Sequence, residues 1–205
     1  MENGENDFQD FYVDWAFPEH IDSLMLTEDK CFAEGIREER SVFLERLETS
    51  FFCNTVLKYQ PFTGSESGCS PDDRASEIYG YFCSEIRGCM PGLPKNDFAL
   101  GHSAKEAHDP EGHILYISSF AVRPDAPRKN KKGLGRFFFR RSLDMILKKN
   151  QKIGRIVLIV NEDWAPARRI YETEGFITTG EIPGFFETAD GRRKAYVMEK
   201  ILKKG

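Results

Sequence analysis

The chain predicts a mixed α/β domain, and three observations support this. Residues 114–122, from Ile114 to Val122, form a stretch of high strand propensity. Ile156, Val157, Leu158, Ile159 and Val160 form a continuous apolar run, the pattern of a strand covered on both sides. Between them an amphipathic helix opens at Gly135, with Phe139, Leu143, Ile146 and Leu147 on one face and Lys148-Lys149 at the end where cations suit the dipole. Strand, helical crossover and strand make a βαβ unit, so these two strands should run parallel. Hairpins on either side make the sheet mixed.

The remaining elements follow in chain order. Phe11, Val13, Trp15 and Phe17 alternate, which predicts a half-buried strand over 11–17. Pro18 suits a first helical turn, and Ile21, Leu24 and Met25 give the spacing of an amphipathic helix. A second helix fits residues 38–49, with Val42, Phe43, Leu44 and Leu47 as its apolar stripe. Residues 51–59 and 77–87 read as strands, separated by a Gly-, Ser-, Pro- and Asp-rich loop over 60–75. Residues 88–112 hold few periodic apolar positions, and a loop of that length in a compact domain is often functional. Asp163 is placed to cap a short helix that Gly175 ends. Segments 177–186 and 194–202 supply two last strands.

At 205 residues the chain fits a single domain, 1–205, with a core that needs neither disulfide nor metal. A net charge of -4 argues against a general nucleic-acid binder, so the basic run Arg128 to Lys132 acts locally. Residues 1–7 are acidic and polar, unlike a signal peptide, and no apolar run is long enough to span a bilayer. Five cysteines without a Cys-x-x-Cys pair read as reduced thiols, with no metal site. The expectation is a cytoplasmic monomer or homodimer with no membrane or nucleic-acid partner.

The segment Lys131, Lys132, Gly133, Leu134, Gly135, Arg136 carries the chemistry. Glycines let backbone approach a ligand, a helix start presents unpaired N–H groups, and the cations add attraction, a combination suited to a diphosphate. It is not a nucleoside-triphosphate loop, because Gly135 is followed by Arg136 and Phe137 rather than Lys and Ser/Thr. It is not a dinucleotide fingerprint, because Phe138 stands where the third glycine belongs. A Gly-x-Gly helix start after Phe120, Ala121, Val122, Arg123 and Pro124 resembles the pyrophosphate loop of the GNAT superfamily of acetyl-CoA-dependent acyltransferases. Ala167, Tyr171, Gly175 and Phe176 resemble that superfamily's second signature, Ala-x-x-x-Tyr-x-x-x-Gly-Phe. The resemblance implies a mostly antiparallel sheet around the central parallel unit, helices on both faces, and acetyl-CoA as co-substrate with no metal.

Within the superfamily, residues 112–122 look most similar to the aralkylamine (serotonin-type) N-acetyltransferases, which implies acetyl transfer to a small-molecule, arylalkyl primary amine. That family's two catalytic histidines fall here at Tyr116 and Ser118, its usual Arg/Gln at Asn130, and the superfamily's Asn at Trp164. A peptide N-terminus or lysine as acceptor, or an acetyl-CoA-binding module with little turnover, are the alternatives. The resemblance implies that pantetheine lies along Phe120, Ala121 and Val122, that the diphosphate sits on residues 131–136, and that Tyr171 donates a proton to the departing thiolate. An amide near Val122 would serve the oxyanion. The base is open: Tyr116 with Ser118 could hold a water wire on a face shared with Ile114 and Phe120, His113 has a suitable intrinsic pKa, and Glu85 could reach the cleft, although an exposed strand carboxylate is its default. His102 and His108 read as solvated loop residues that could line the substrate entrance.

Overall fold

The computed structural model describes residues 8–61, 77–90, 98–127 and 132–203. The expectations for residues 1–7, most of the 60–75 loop, and Lys131 and Asn130 lie outside the described residues. Seven strands form one sheet in the order β1-β2-β3-β4-β5-β7-β6. They are β1 (Phe11–Trp15), β2 (Thr55–Tyr59), β3 (Glu77–Arg87), β4 (Ile114–Val122), β5 (Arg155–Asn161), β6 (Ile177–Thr188) and β7 (Gly191–Ile201). The helices are α1 (Ile21–Cys31), α2 (Arg40–Thr49), α3 (Ala104–Ala107), α4 (Leu134–Lys149) and α5 (Ala165–Thr173). β4 and β5 pair in parallel, as a βαβ unit requires, and every other neighbouring pair is antiparallel.

Both faces of the sheet are covered because side chains alternate along each strand. On one face Phe138, Phe139, Leu143 and Ile146 of α4 pack with Phe82, Leu115, Ile117, Ile156 and Leu158, joined by Tyr171 and Phe176. The Phe138, Phe139 and Ile146 side chains are fully buried, each worth roughly 1.5–3 kcal/mol of apolar burial. On the other face Leu24 of α1 and Phe43 and Leu47 of α2 pack on Val56, Tyr81 and Cys83. Further along that face Ile114, Tyr116, Val157 and Val197 meet Ile36, Phe98 and Phe186.

Three local expectations are corrected. The strand expected over 51–59 begins at Thr55, because Asn54 donates its side-chain amide to the carbonyls of Arg46 (3.1 Å) and Ser50 (2.9 Å), holding residues 50–54 as the cap of α2. Asp163 does not cap α5. Asn161 Oδ1 accepts the Asp163 N–H at 3.0 Å, the resulting turn starts the helix at Ala165 with Trp164 as its cap residue, and the Asp163 carboxylate pairs with Arg193 at 2.7 Å. α2 starts at Arg40, leaving Glu38 buried in the preceding turn. Gly175 does end α5, with a φ of +88° and a Phe176 N–H to Tyr171 carbonyl bond of 3.0 Å that only a left-handed residue allows easily.

Candidate active site

A bulge in β4 creates the site. Cys83 is paired with Ser119, yet the next β3 residue, Ser84, is paired with Ile117, so Ser118 is the extra residue. Beyond it the inward and outward positions exchange. Tyr116 faces the α1–α2 side, but Phe120 packs on Phe138 and Phe139 on the α4 side. The expected common face for Ile114, Tyr116, Ser118 and Phe120 is therefore broken. The parallel pairing also stops here: the last register pair is Ile117 with Leu158. Past that point β4 and β5 part, and a cleft of about 430 Å³ opens between them.

One wall is Ser118, Ser119, Phe120, Ala121 and Val122 of β4; the other is Trp164, Ala167, Ile170 and Tyr171 around α5. Gly135 lines the cleft at the start of α4. Gly133 precedes α4 with a φ of +92°, a conformation costly for any other residue. The helix begins at Leu134, so the amides of Leu134, Gly135 and Arg136 have no acceptor within α4. A Cβ on Gly135 would stand 3.2 Å from Ile170 Cδ1, so the start of α4 lies close against the side chains of α5. Lys132 is exposed beside this turn, and Arg136 is exposed and paired with Glu174 at 2.6 Å.

Tyr171 is 6% exposed, and among the described residues none hydrogen-bonds its hydroxyl. Burial pushes its pKa well above the ordinary phenol range, so the hydroxyl stays protonated. Ser118 donates to the Cys83 carbonyl at 3.3 Å. Trp164 packs between Phe32 and Phe186 in tilted contacts, with ring centroids 5.2 and 5.3 Å away, and walls the end of the cleft with Ile36 and Leu100.

Three residues considered for the base are elsewhere. His113 is exposed at the start of β4, its backbone bonded to Arg87 and Gly154, at the opposite end from the cleft. Tyr116 is buried against Phe98, with Arg87 4.2 Å over its ring, and does not line the cleft. Glu85 is fully buried rather than exposed, and it holds Arg87 and His102 (2.8 Å). His102 and His108 are anchored too: His102 on Glu85, and His108 accepting the Ile86 N–H at 3.1 Å.

The structure supplies a carboxylate that the sequence reading passed over. Glu28 of α1 is 1% exposed and lines the cleft. Its Oε1 accepts the Glu38 N–H at 2.8 Å and its Oε2 accepts the Tyr81 hydroxyl. Burial raises its pKa above the ordinary carboxylate value, against the lowering effect of those bonds. A signal was present: Glu28 continues the Ile21, Leu24, Met25 spacing and so places a charge on an apolar stripe.

No family model matches the chain, and no curated protein matches it. Solved structures do. The fold is similar to the ribosomal-protein-S18-alanine N-acetyltransferase from Escherichia coli (TM-score 0.64, 15% identity, 95% of this chain and 96% of that chain). It is similar to the GNAT-like decarboxylase GphF in complex with isobutyryl-CoA (TM-score 0.68, 16% identity, 94% and 100%). It is also similar to Arabidopsis thaliana NAA60 in complex with a bisubstrate analogue (TM-score 0.64, 15% identity, 95% and 99%). The architecture is thus that of the GNAT acyltransferases, with the parallel β4–β5 pair at its centre. At these identities the likeness establishes the fold, and the chemistry rests on the residues above.

Proposed function

We propose that the protein is an N-acetyltransferase that moves an acetyl group from acetyl-CoA to a small primary amine carrying an apolar, preferentially aryl, group. The observation that carries this reading is the split between β4 and β5, with the Glu28 carboxylate on one wall and the Tyr171 hydroxyl on the other. The site fits the co-substrate: past Ile117 the edge of β4 has no β5 partner and can pair with pantetheine amides, and the amides of Leu134 to Arg136 suit a diphosphate. Acetyl-CoA supplies the activated thioester.

The chain's own residues supply the rest. Glu28 takes the ammonium proton, freeing the nitrogen lone pair to attack the thioester carbonyl. An amide of the Ala121–Val122 edge stabilises the charge that develops on the carbonyl oxygen. Tyr171 gives its proton to the sulfur as the C–S bond breaks, and the second nitrogen proton, shed as the amide forms, returns to it through solvent. Phe32, Trp164 and Phe186 favour an aryl group on the acceptor, and the negative charge of buried Glu28 attracts its ammonium. A small acceptor is favoured over an extended peptide because the turn Glu34–Ile36 abuts β6, where a Cβ on Gly35 would stand 3.3 Å from the Glu187 carbonyl oxygen.

Thiol release from acetyl-CoA, screened against arylalkylamines, polyamines, aminoglycosides and short peptides, tests the proposal. Turnover is expected with arylalkylamines above the other classes. Turnover confined to peptides would replace the acceptor assignment, and no thiol with any amine would overturn the transferase reading.

A further inference from the structure

The proton that leaves the acceptor amine has a built path, and it runs through a residue outside the cleft. Tyr81 sits in the middle of β3, 0% exposed, with the Phe43 ring edge-on at 5.1 Å. Its hydroxyl donates to Glu28 Oε2, and Ser119 Oγ lies 3.0 Å away on its other side. A carboxylate can only accept, so the single Tyr81 proton points to Glu28, and Tyr81 must accept from Ser119. Ser119 then donates inward and keeps a lone pair for the cleft it lines. The two hydroxyls are thereby ordered in one direction, from cleft to carboxylate. The β4 bulge is what allows it: the extra residue at 118 turns Ser119 toward Tyr81, where strict alternation from Tyr116 would have turned it away.

We propose that Ser119 and Tyr81 relay the acceptor's proton to Glu28. Ser119 Oγ takes the N–H proton as it passes its own to Tyr81 Oη, and Tyr81 passes its own to Glu28. Glu28 ends as the carboxylic acid, both hydroxyls keep one proton each, and no other reactant is needed. Tyr81 never carries a net charge, in keeping with a phenol that burial and the adjacent Glu28 hold in its protonated form. Ser119 is the group that touches substrate, and Tyr81 is a positioning residue acting through its two neighbours. The relay rests on Glu28 being the base.

Three variants, Glu28→Gln, Ser119→Ala and Tyr81→Phe, separate the two claims when kcat, KM and the pH profile are measured with the best amine from the screen. Tyr81→Phe keeps the ring in its core position, so KM for both substrates should hold while kcat falls about tenfold or more. Its acid limb should also move to higher pH, because the lost hydroxyl was lowering the Glu28 pKa. Ser119→Ala should lower kcat similarly without moving that limb. In the parent enzyme the solvent deuterium effect should need more than one exchanging proton, and in Ser119→Ala only one. An inactive Glu28→Gln beside a Tyr81→Phe or Ser119→Ala with full kcat would overturn the relay and leave the base standing. An active Glu28→Gln would remove the base itself. If Tyr81→Phe does not fold, Ser119→Ala and the isotope data decide alone, since Ser119 borders the open cleft.

Discussion

At the scale of single residues, the proposed function depends on a charge held where charge is costly. Glu28 is buried, and its two oxygens are each given one donor, from Glu38 and Tyr81. Burial raises its pKa and the two bonds restrain the rise, which brings a carboxylate closer to the range where a base is useful. The sign of the pH dependence follows. The base works only when ionised, so kcat/KM should fall as pH drops through the raised Glu28 value, at higher pH than an ordinary carboxylate would give. Glu28→Gln should lose this limb and about 100-fold or more in kcat. It should leave acetyl-CoA affinity close to unchanged, because the Glu28 carboxylate bonds Glu38 and Tyr81 and not the turn into α4. Rate profiles of both proteins, with calorimetric binding of CoA, check each part. An unchanged acid limb in the variant would assign the base elsewhere.

At the scale of elements, the decisive features are a strand that breaks its own alternation and a helix start kept bare. The strands themselves were legible, because alternation is local: β3 was expected over 77–87 and β4 over 114–122, and both lie there. The β4 bulge was not legible, since it exists only in the register against β3, and no property of Ser118 or Ser119 alone announces it. For the same reason Tyr116 was expected beside Ser118, and Glu85, whose partner His102 comes from a separate loop, was expected in water. The turn into α4 was legible because glycine at a helix start has few other uses. Gly133→Ala tests that turn. A Cβ at a φ of +92° should cost about 1–2 kcal/mol of stability and displace the first amides of α4. The KM for acetyl-CoA should rise by about tenfold, with KM for the amine far less affected. Equal rises in both would mean that the turn shapes the whole cleft rather than the diphosphate end.

At the scale of the whole molecule, the charged interior is split between two purposes with opposite pH signatures. Near the cleft, Glu28 is strained toward its neutral form. On the same face, Arg46 and Glu38 pair at 2.8 Å, Gly101 donates to Glu38, and Arg87 and His102 close on Glu85. Those contacts tie the 98–103 segment, which brings Leu100 to the cleft, onto α2 and β3. Burial alone would raise the Glu85 pKa, but the His102 bond and the Arg87 guanidinium outweigh it and the value is lowered. Asp125, bonded to Arg123 and Lys30, is held well below the carboxylate range as well. A carboxylate with a depressed folded pKa contributes stability above its unfolded value, near 4.5 for Glu85, and loses it as pH falls through the folded value. Glu28 works the other way, favouring the fold at low pH and losing that contribution as pH rises through its raised value. Urea midpoints should therefore hold between neutral pH and about 5, then fall steeply in acid. Glu85→Gln should remove part of that acid slope while lowering neutral stability by roughly 3–5 kcal/mol, because Arg87 and His102 stay buried with a weaker partner. A Glu85→Gln protein with the parent's acid slope would place acid sensitivity in the exposed pairs, Asp125 first among them.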